Sequence, residues 1–202
     1  MGNFDGKIVL VTGAGKGTGR GVAESFAARG ASVAVNDISP VNLDETVAHI
    51  VSAGGRVEAY VEDIAKKMLV QALLNAVLDD FGQIDILVNC AEVEPRKTVL
   101  EMDDWDWQRT LDVNLSGAFL LTQSAGRIMK EKGGGTIVHV RKRAKDAAVS
   151  DQSNGPERRA AYFASKAGLA ELVRVAEDEF AAFGVHVYLA DSVERVLKVC
   201  GG

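Results

Sequence analysis

The chain has 202 residues, 47% hydrophobic and 25% charged, with a formal net charge of −5 at pH 7. That length suits one domain with a sizeable core, and the acidic balance gives no general attraction to a phosphate backbone, which argues against nucleic acid as a main partner. No apolar run reaches the ~18 residues of a membrane span, no secretory leader precedes the first strand-like run, and Cys90 and Cys200 lack metal-ligand spacing, so the expected compartment is the reducing cytoplasm.

Along the chain, short β-branched runs alternate with longer segments of helical period. "KIVLVT" is followed by "GVAESFAARG", "ASVAVND" by "VNLDETVAHIVSAGG", "RVEAYVED" by "AKKMLVQALLNAVLDDFG", and then comes "IDILVNC". Two helical segments are expected around "DDWDWQRTLDVNLSGAFLLTQSAGRIMKEKGGG", then a strand "TIVHV", a helix "AAYFASKAGLAELVRVAEDEFAAFG" and a strand "VHVYLA". This alternation predicts an α/β fold of six strands, a doubly wound parallel sheet in one domain with helices on both faces. Glycines such as Gly82, Gly133 and Gly184 fall where helices should stop. One long polar connection, residues 141–158, holds Pro156, and a loop of that length in a compact domain is usually functional or mobile.

The run "VLVTGAGKGTGRG" sets Gly13, Gly17 and Gly19 between the first strand and the first helix. Glycines there permit a tight turn and close backbone approach to a pyrophosphate, which the N–H groups of the helix N-terminus attract. A nucleotide-triphosphate loop would close on Lys-Ser or Lys-Thr, whereas Gly19 is followed by Arg20 and Gly21, which disfavours that rival. The second strand ends at Asn36 and Asp37, about twenty residues beyond the glycines, where a carboxylate accepts hydrogen bonds from ribose hydroxyls and repels a ribose phosphate. NAD is therefore expected over NADP. Lys16 pulls the other way, because a cation in the turn is able to meet a 2′-phosphate; the alternative is that it is simply solvated.

Tyr162 and Lys166 stand four apart on a helix and so share a face, where an adjacent ammonium favours the phenolate. Bringing a phenol from a pKa of about 10 to near 7 requires roughly 4 kcal/mol, more than one exposed ion pair supplies, so the expectation is that cofactor charge and an ion pair strengthened by burial assist. The alternative makes Tyr162 a packing residue and Lys166 a solvated cation. Asn114 interrupts an apolar helix, either as a working amide or as the cause of a kink. His49, His139 and His186 show no metal-site spacing, and no metal is expected.

With "TGAGKGTG", "NCAE", "DVNLSGAF" and "YFASK" in this order, the chain resembles the short-chain dehydrogenase/reductase family over nearly its whole length. The resemblance implies a Rossmann fold that binds NAD(P) and interconverts an alcohol and a carbonyl. It implies that Tyr162 carries the proton, Lys166 is its partner and Asn114 belongs to the relay. It further implies that Gly13, Lys16, Gly17, Thr18, Gly19 and Asp37 hold the cofactor, together with Asp63 and Ile64 after the third strand, Asn89 and Ala91 after the fourth, and Tyr162 and Lys166. A homodimer or larger homo-oligomer is expected through the apolar faces of the helices at 113–132 and 159–183.

The chain also departs from the family pattern. Members usually carry serine at the end of the fifth strand, and aligning "IVHVRK" to that run puts Arg141 and Lys142 on the serine positions, within a cluster that continues to Arg143 and Lys145. Losing such an oxyanion donor typically costs 10²–10³ in rate. Ser150 or Ser153 would have to fold back to replace it. Glu92 stands where the family has glycine, Cys90 replaces an asparagine, and "LADSVERVLKVCGG" has Asp191 and Ser192 where Pro-Gly is usual. Without the elements that normally follow, the pocket would lack much of its lid. Two readings stay open: a working or attenuated oxidoreductase, and a degraded relative that keeps the fold and dinucleotide binding or an assembly role. An anion-binding role for the basic cluster rests on one short stretch of an acidic protein.

Overall fold

In the computed structural model, residues 4–141 and 159–201 are described. The strands form where β-branched and aliphatic residues run consecutively, and β1 (Ile8–Thr12) is buried at every position. Such an unbroken apolar run is what a strand covered on both faces requires. β2 (Ser32–Asp37), β3 (Arg56–Val61), β4 (Ile86–Asn89), β5 (Gly135–Val140) and β6 (Val185–Ala190) complete one six-stranded sheet in the order β3-β2-β1-β4-β5-β6. All neighbours are parallel. β3 lies at an edge and puts Arg56 and Glu58 into solvent, a composition that discourages further strand pairing.

Helices cover both faces. On one, α1 (Gly17–Ala27), α2 (Pro40–Ser52) and α7 (Val193–Cys200) bury Val22, Phe26, Leu43, Ile50 and Val196 against the sheet. On the other, α3 (Lys67–Phe81), α5 (Ala118–Lys132) and α6 (Ala160–Phe180) bury Leu73, Leu74, Leu121, Met129 and Leu169. Helix stops match expectation at Gly82, Gly133 and Gly184, all in the left-handed region.

Two features depart from the sequence reading. The segments around 103–135 form one continuous helical path: α4 (Asp104–Leu111) passes into a π-helical turn, Asp112–Gly117, and directly into α5. That turn lies where Gly117 crosses β3's outgoing segment so closely that a Cβ would stand 2.9 Å from the Ile64 carbonyl oxygen. Asn114 lies inside it, and such wide turns recur at functional sites. The last residues also form a helix, α7, which the sequence reading did not identify. Ser192 caps it by accepting from the Arg195 N–H, and its fully buried Val196 joins the core beside α1.

Because β2 and β3 lie on one side of β1 and β4 on the other, the chain reverses its direction of travel between β1 and β4. The carboxyl ends of these two strands diverge into a crevice, the place where open parallel sheets receive ligands.

Candidate functional site

The turn after β1 forms the floor of that crevice. Gly13 has φ +65°, and a Cβ there would lie 2.5 Å from the Ala91 nitrogen; at Gly19 a Cβ would lie 2.0 Å from the Gly13 carbonyl oxygen. Backbone therefore packs directly on backbone, which only glycine allows. Gly17 differs, because a Cβ at this position would meet nothing within 4 Å and would point into open space. Gly17 opens α1, whose first N–H groups lack helical partners and favour an anion. Lys16 is exposed beside it. Arg20 faces away from this space: its Nη2 donates to the Gly15 carbonyl at 2.5 Å and to Glu45 at 2.7 Å, so it braces the turn.

At the end of β2, Asp37 accepts the Gly15 N–H at Oδ2 and the Ser39 N–H at Oδ1, both at 3.0 Å. A carboxylate offers about four acceptor sites, so each oxygen keeps one for a hydroxyl. Asn36 donates from Nδ2 to the carbonyls of Tyr60 and Glu62, tying β2 to the chain leaving β3. There Asp63 accepts the Ala65 N–H and pairs with Arg109 at 3.0 Å. Burial acts to raise the Asp63 carboxyl, but the Ala65 N–H and the Arg109 guanidinium outweigh it and hold the group below the usual range. Arg109 was not identified from sequence, since nothing local marks a contact across 46 residues.

These residues border one cleft of about 530 Å³, whose wall runs from Gly13, Thr18 and Asp37 past Asp63 and Ile64 to Ala91, Glu92 and Val140. A dinucleotide fits it: the bare Gly17 leaves the room that a side chain would fill, and Asp37 has acceptors to spare. The residues that would hold it are Gly13, Lys16, Gly17, Thr18 and Gly19 at the pyrophosphate, with Asp37, Asp63 and Ile64 at the adenosine.

Asn89 is not part of the cleft wall. It accepts from Thr12 Oγ1 at 2.6 Å, and its Nδ2 contacts His139 Nδ1 at 3.2 Å. His139 Nε2 lies 2.8 Å from Thr122 Oγ1, which itself donates to the Ala118 carbonyl. The only consistent direction runs from Thr12 through Asn89, His139 and Thr122 to that carbonyl, with the ring neutral. Burial and then the Lys166 charge push His139 down to about 3, in agreement. Asn89 thus acts by clamping β1, β4 and β5 together beneath the cleft, while Ala91 meets the cleft directly.

The chemical end lies beyond Ala91. Tyr162 and Lys166, each 4% exposed, project from one face of α6 as their spacing predicts. Both meet the same atom: Glu92 Oε2 accepts from Tyr162 Oη at 3.2 Å and from Lys166 Nζ at 3.0 Å. The expected phenolate is therefore corrected. Burial, and then the Glu92 charge, raise the Tyr162 phenol above its ordinary value, and the ammonium expected to lower it contacts the Glu92 carboxylate. Asn114 accepts the Val93 N–H at 2.8 Å and donates to the Val93 carbonyl and to Ser165 Oγ, pinning the chain after β4. Its amide is satisfied by these contacts, and this explains its burial. Arg159 and Glu94 form a second buried pair at 2.8 Å beside Tyr162, another contact with no local sequence signal.

Arg141 is exposed, and its N–H donates to the Ala190 carbonyl at 2.8 Å. Lys142, Arg143, Lys145, Ser150 and Ser153, and with them the expected loop of 141–158 beyond its first residue, lie outside the described residues up to 158. Among the described residues no group of three or more His, Cys, Asp or Glu side chains could hold a metal, and no helix is long and apolar enough to cross a membrane.

The family model for short chain dehydrogenase matches residues 7–191. An oxidoreductase of Thermotoga maritima is 40% identical over 185 residues, covering 92% of this chain and 70% of the relative. D-threitol dehydrogenase of Mycolicibacterium smegmatis is 37% identical over 184 residues, covering 91% and 68%. The crystal structure of an NAD+-bound xylitol dehydrogenase superposes with a TM-score of 0.84 at 30% identity, over 93% of this chain and 70% of that one.

Proposed function

The chain belongs to the short chain dehydrogenase family of NAD(P)-dependent oxidoreductases acting on alcohols and carbonyls, and we propose that it is an NAD-preferring member whose proton carrier is Tyr162. The observation that carries this reading is the cleft, which runs from the glycine turn and Asp37 to Glu92, whose carboxylate contacts Tyr162 and Lys166 just beyond the cleft wall.

The nicotinamide ring supplies or accepts the hydride when the cofactor is bound. The protein's residues do the rest. Asp37 selects the adenosine ribose through its two remaining acceptor positions, and its charge opposes a 2′-phosphate. In carbonyl reduction Tyr162 gives its Oη proton to the developing alkoxide; in alcohol oxidation it takes that proton back. Lys166 steadies the phenolate that reduction leaves, once its ammonium is available. Asn114 keeps the chain after β4 in place through Val93, and so sets the distance between Glu92 and α6. Polyols are the first substrates to test, given the threitol and xylitol enzymes among the relatives.

A second reading, a relative that retains dinucleotide binding but has lost efficient turnover, draws on the hold of Glu92 upon both Tyr162 and Lys166. Titration with NAD and NADP, followed by assay of D-threitol, xylitol and a panel of ketones, separates the two. Turnover with NAD favoured supports the first; tight binding without turnover for any substrate supports the second. Phe119, Val175 and Phe183 expose apolar surface along α5 and at the end of α6, in keeping with self-association as a homodimer. Sedimentation at micromolar concentration tests this, and a monomer would refute it.

A further inference from the structure

The Tyr162–Lys166 pair contains one more acid than its expected chemistry needs. Lys166 and Glu92 pair with side chains only 5% and 14% exposed, where charge attracts charge more strongly than at the surface. Among the described residues the Lys166 ammonium stands between the Glu92 carboxylate, which it contacts, and the Tyr162 ring, whose centroid lies 5.3 Å away. The carboxylate takes the ammonium, and the phenol is left to donate to the same oxygen. Among the described residues, the other charged pair beside Tyr162 is Glu94, on the segment after β4, with Arg159 at the start of α6. His139 beneath the site is neutral. A phenolate formed in this arrangement would lie 3.2 Å from a carboxylate oxygen.

We propose that Glu92 is an internal anionic clamp: its carboxylate holds the Lys166 ammonium and the Tyr162 hydroxyl together, and must release both before Tyr162 exchanges a proton with substrate. The inference rests on the reading of Tyr162 and Lys166 as the proton-transferring pair. While Oε2 accepts from Tyr162, that hydroxyl is turned to the carboxylate and not to a substrate oxygen. Release follows when Glu92 takes a proton from solvent or swings away; Tyr162 then gives its Oη proton to the substrate alkoxide, and the freed Lys166 ammonium steadies the phenolate that this leaves. Glu92 thereby sets the pH at which the site works without itself carrying the substrate's proton.

The test uses the ligand-free protein. Tyrosinate formation is followed by near-ultraviolet absorbance during alkaline titration of the parent protein, Glu92→Gln and Glu92→Ala, each with and without Tyr162→Phe to isolate the Tyr162 transition. Removing the competing anion frees the ammonium, and the Tyr162 midpoint is expected to fall by about 1–3 pH units in both variants. Circular dichroism confirms that at least one variant is folded before it is titrated. A midpoint unmoved in a folded variant overturns the clamp, whatever the protein's activity. A lowered midpoint with no turnover by any variant leaves the clamp standing and removes the oxidoreductase reading instead.

Discussion

Replacing Asp37 by serine should redirect the cofactor preference. The carboxylate is fixed by two backbone N–H groups at 3.0 Å, and its two free acceptor positions are available to ribose hydroxyls. Hydrogen bonds to a charged group contribute about 1.5–3 kcal/mol each, so losing one should weaken NADH binding by about 10- to 160-fold, and losing both by more. For NADPH the sign reverses, because the variant removes a like charge facing the phosphate. At a separation near 4 Å that repulsion is about 1 kcal/mol in water and about 4 kcal/mol at an effective dielectric constant of 20. A gain of roughly tenfold is the cautious expectation, and the NADH-to-NADPH affinity ratio should then move by at least about 100-fold. Serine is chosen over alanine because its hydroxyl is able to accept the Gly15 N–H and so preserve the turn. Fluorescence titration of both nucleotides at low and high salt provides the assay, with the NADPH gain shrinking as salt rises. An unchanged affinity ratio would refute the assignment of Asp37 to the ribose.

Other expectations concern the scaffold and its charges. Gly19→Ala forces a Cβ to within 2.0 Å of the Gly13 oxygen and should lower stability by about 1–3 kcal/mol or more and abolish NADH binding, whereas Gly17→Ala meets open space and is strained only by its φ of +57°, at about 1–2 kcal/mol, so it should stay folded and lose affinity; thermal melts with NADH titration distinguish them. His139 is pushed from an ordinary 6.5 down to about 3 in the folded protein, so between these values only the unfolded state takes up the proton and stability falls as pH falls. The slope is about 1.4 kcal/mol per pH unit. Urea unfolding from pH 6.5 to 4 should show a steeper decline in the parent protein than in His139→Asn. Glu94→Gln leaves the Arg159 guanidinium, only 3% exposed, without its anion and should cost about 3 kcal/mol, read from the same denaturation curves.

Local chemistry made much of this legible from sequence. The glycine turn and Asp37 are marked by residues adjacent in the chain, and Tyr162 and Lys166 by a spacing of four on one helix. The order of strand and helix followed from hydrophobic period alone. Contacts that depend on register did not show: Asn89 reaches His139 because β4 pairs with β5 at those two positions, and Arg109 reaches Asp63 across the crevice. Glu92 was visible as a departure from the family pattern, yet its effect was not, because the direction of its side chain decides whether it faces solvent or takes the ammonium from Tyr162. The α7 helix was missed although Ser192 and the apolar spacing of "VERVLKVC" are ordinary helix signals.

The most direct test of the central claim compares hydride transfer by the parent protein and Tyr162→Phe, with NAD and a polyol panel that includes D-threitol and xylitol. If Tyr162 carries the proton, the variant should bind NADH with affinity close to that of the parent protein and lose about 10²–10⁴-fold in turnover. Equal turnover in the two proteins would contradict the account.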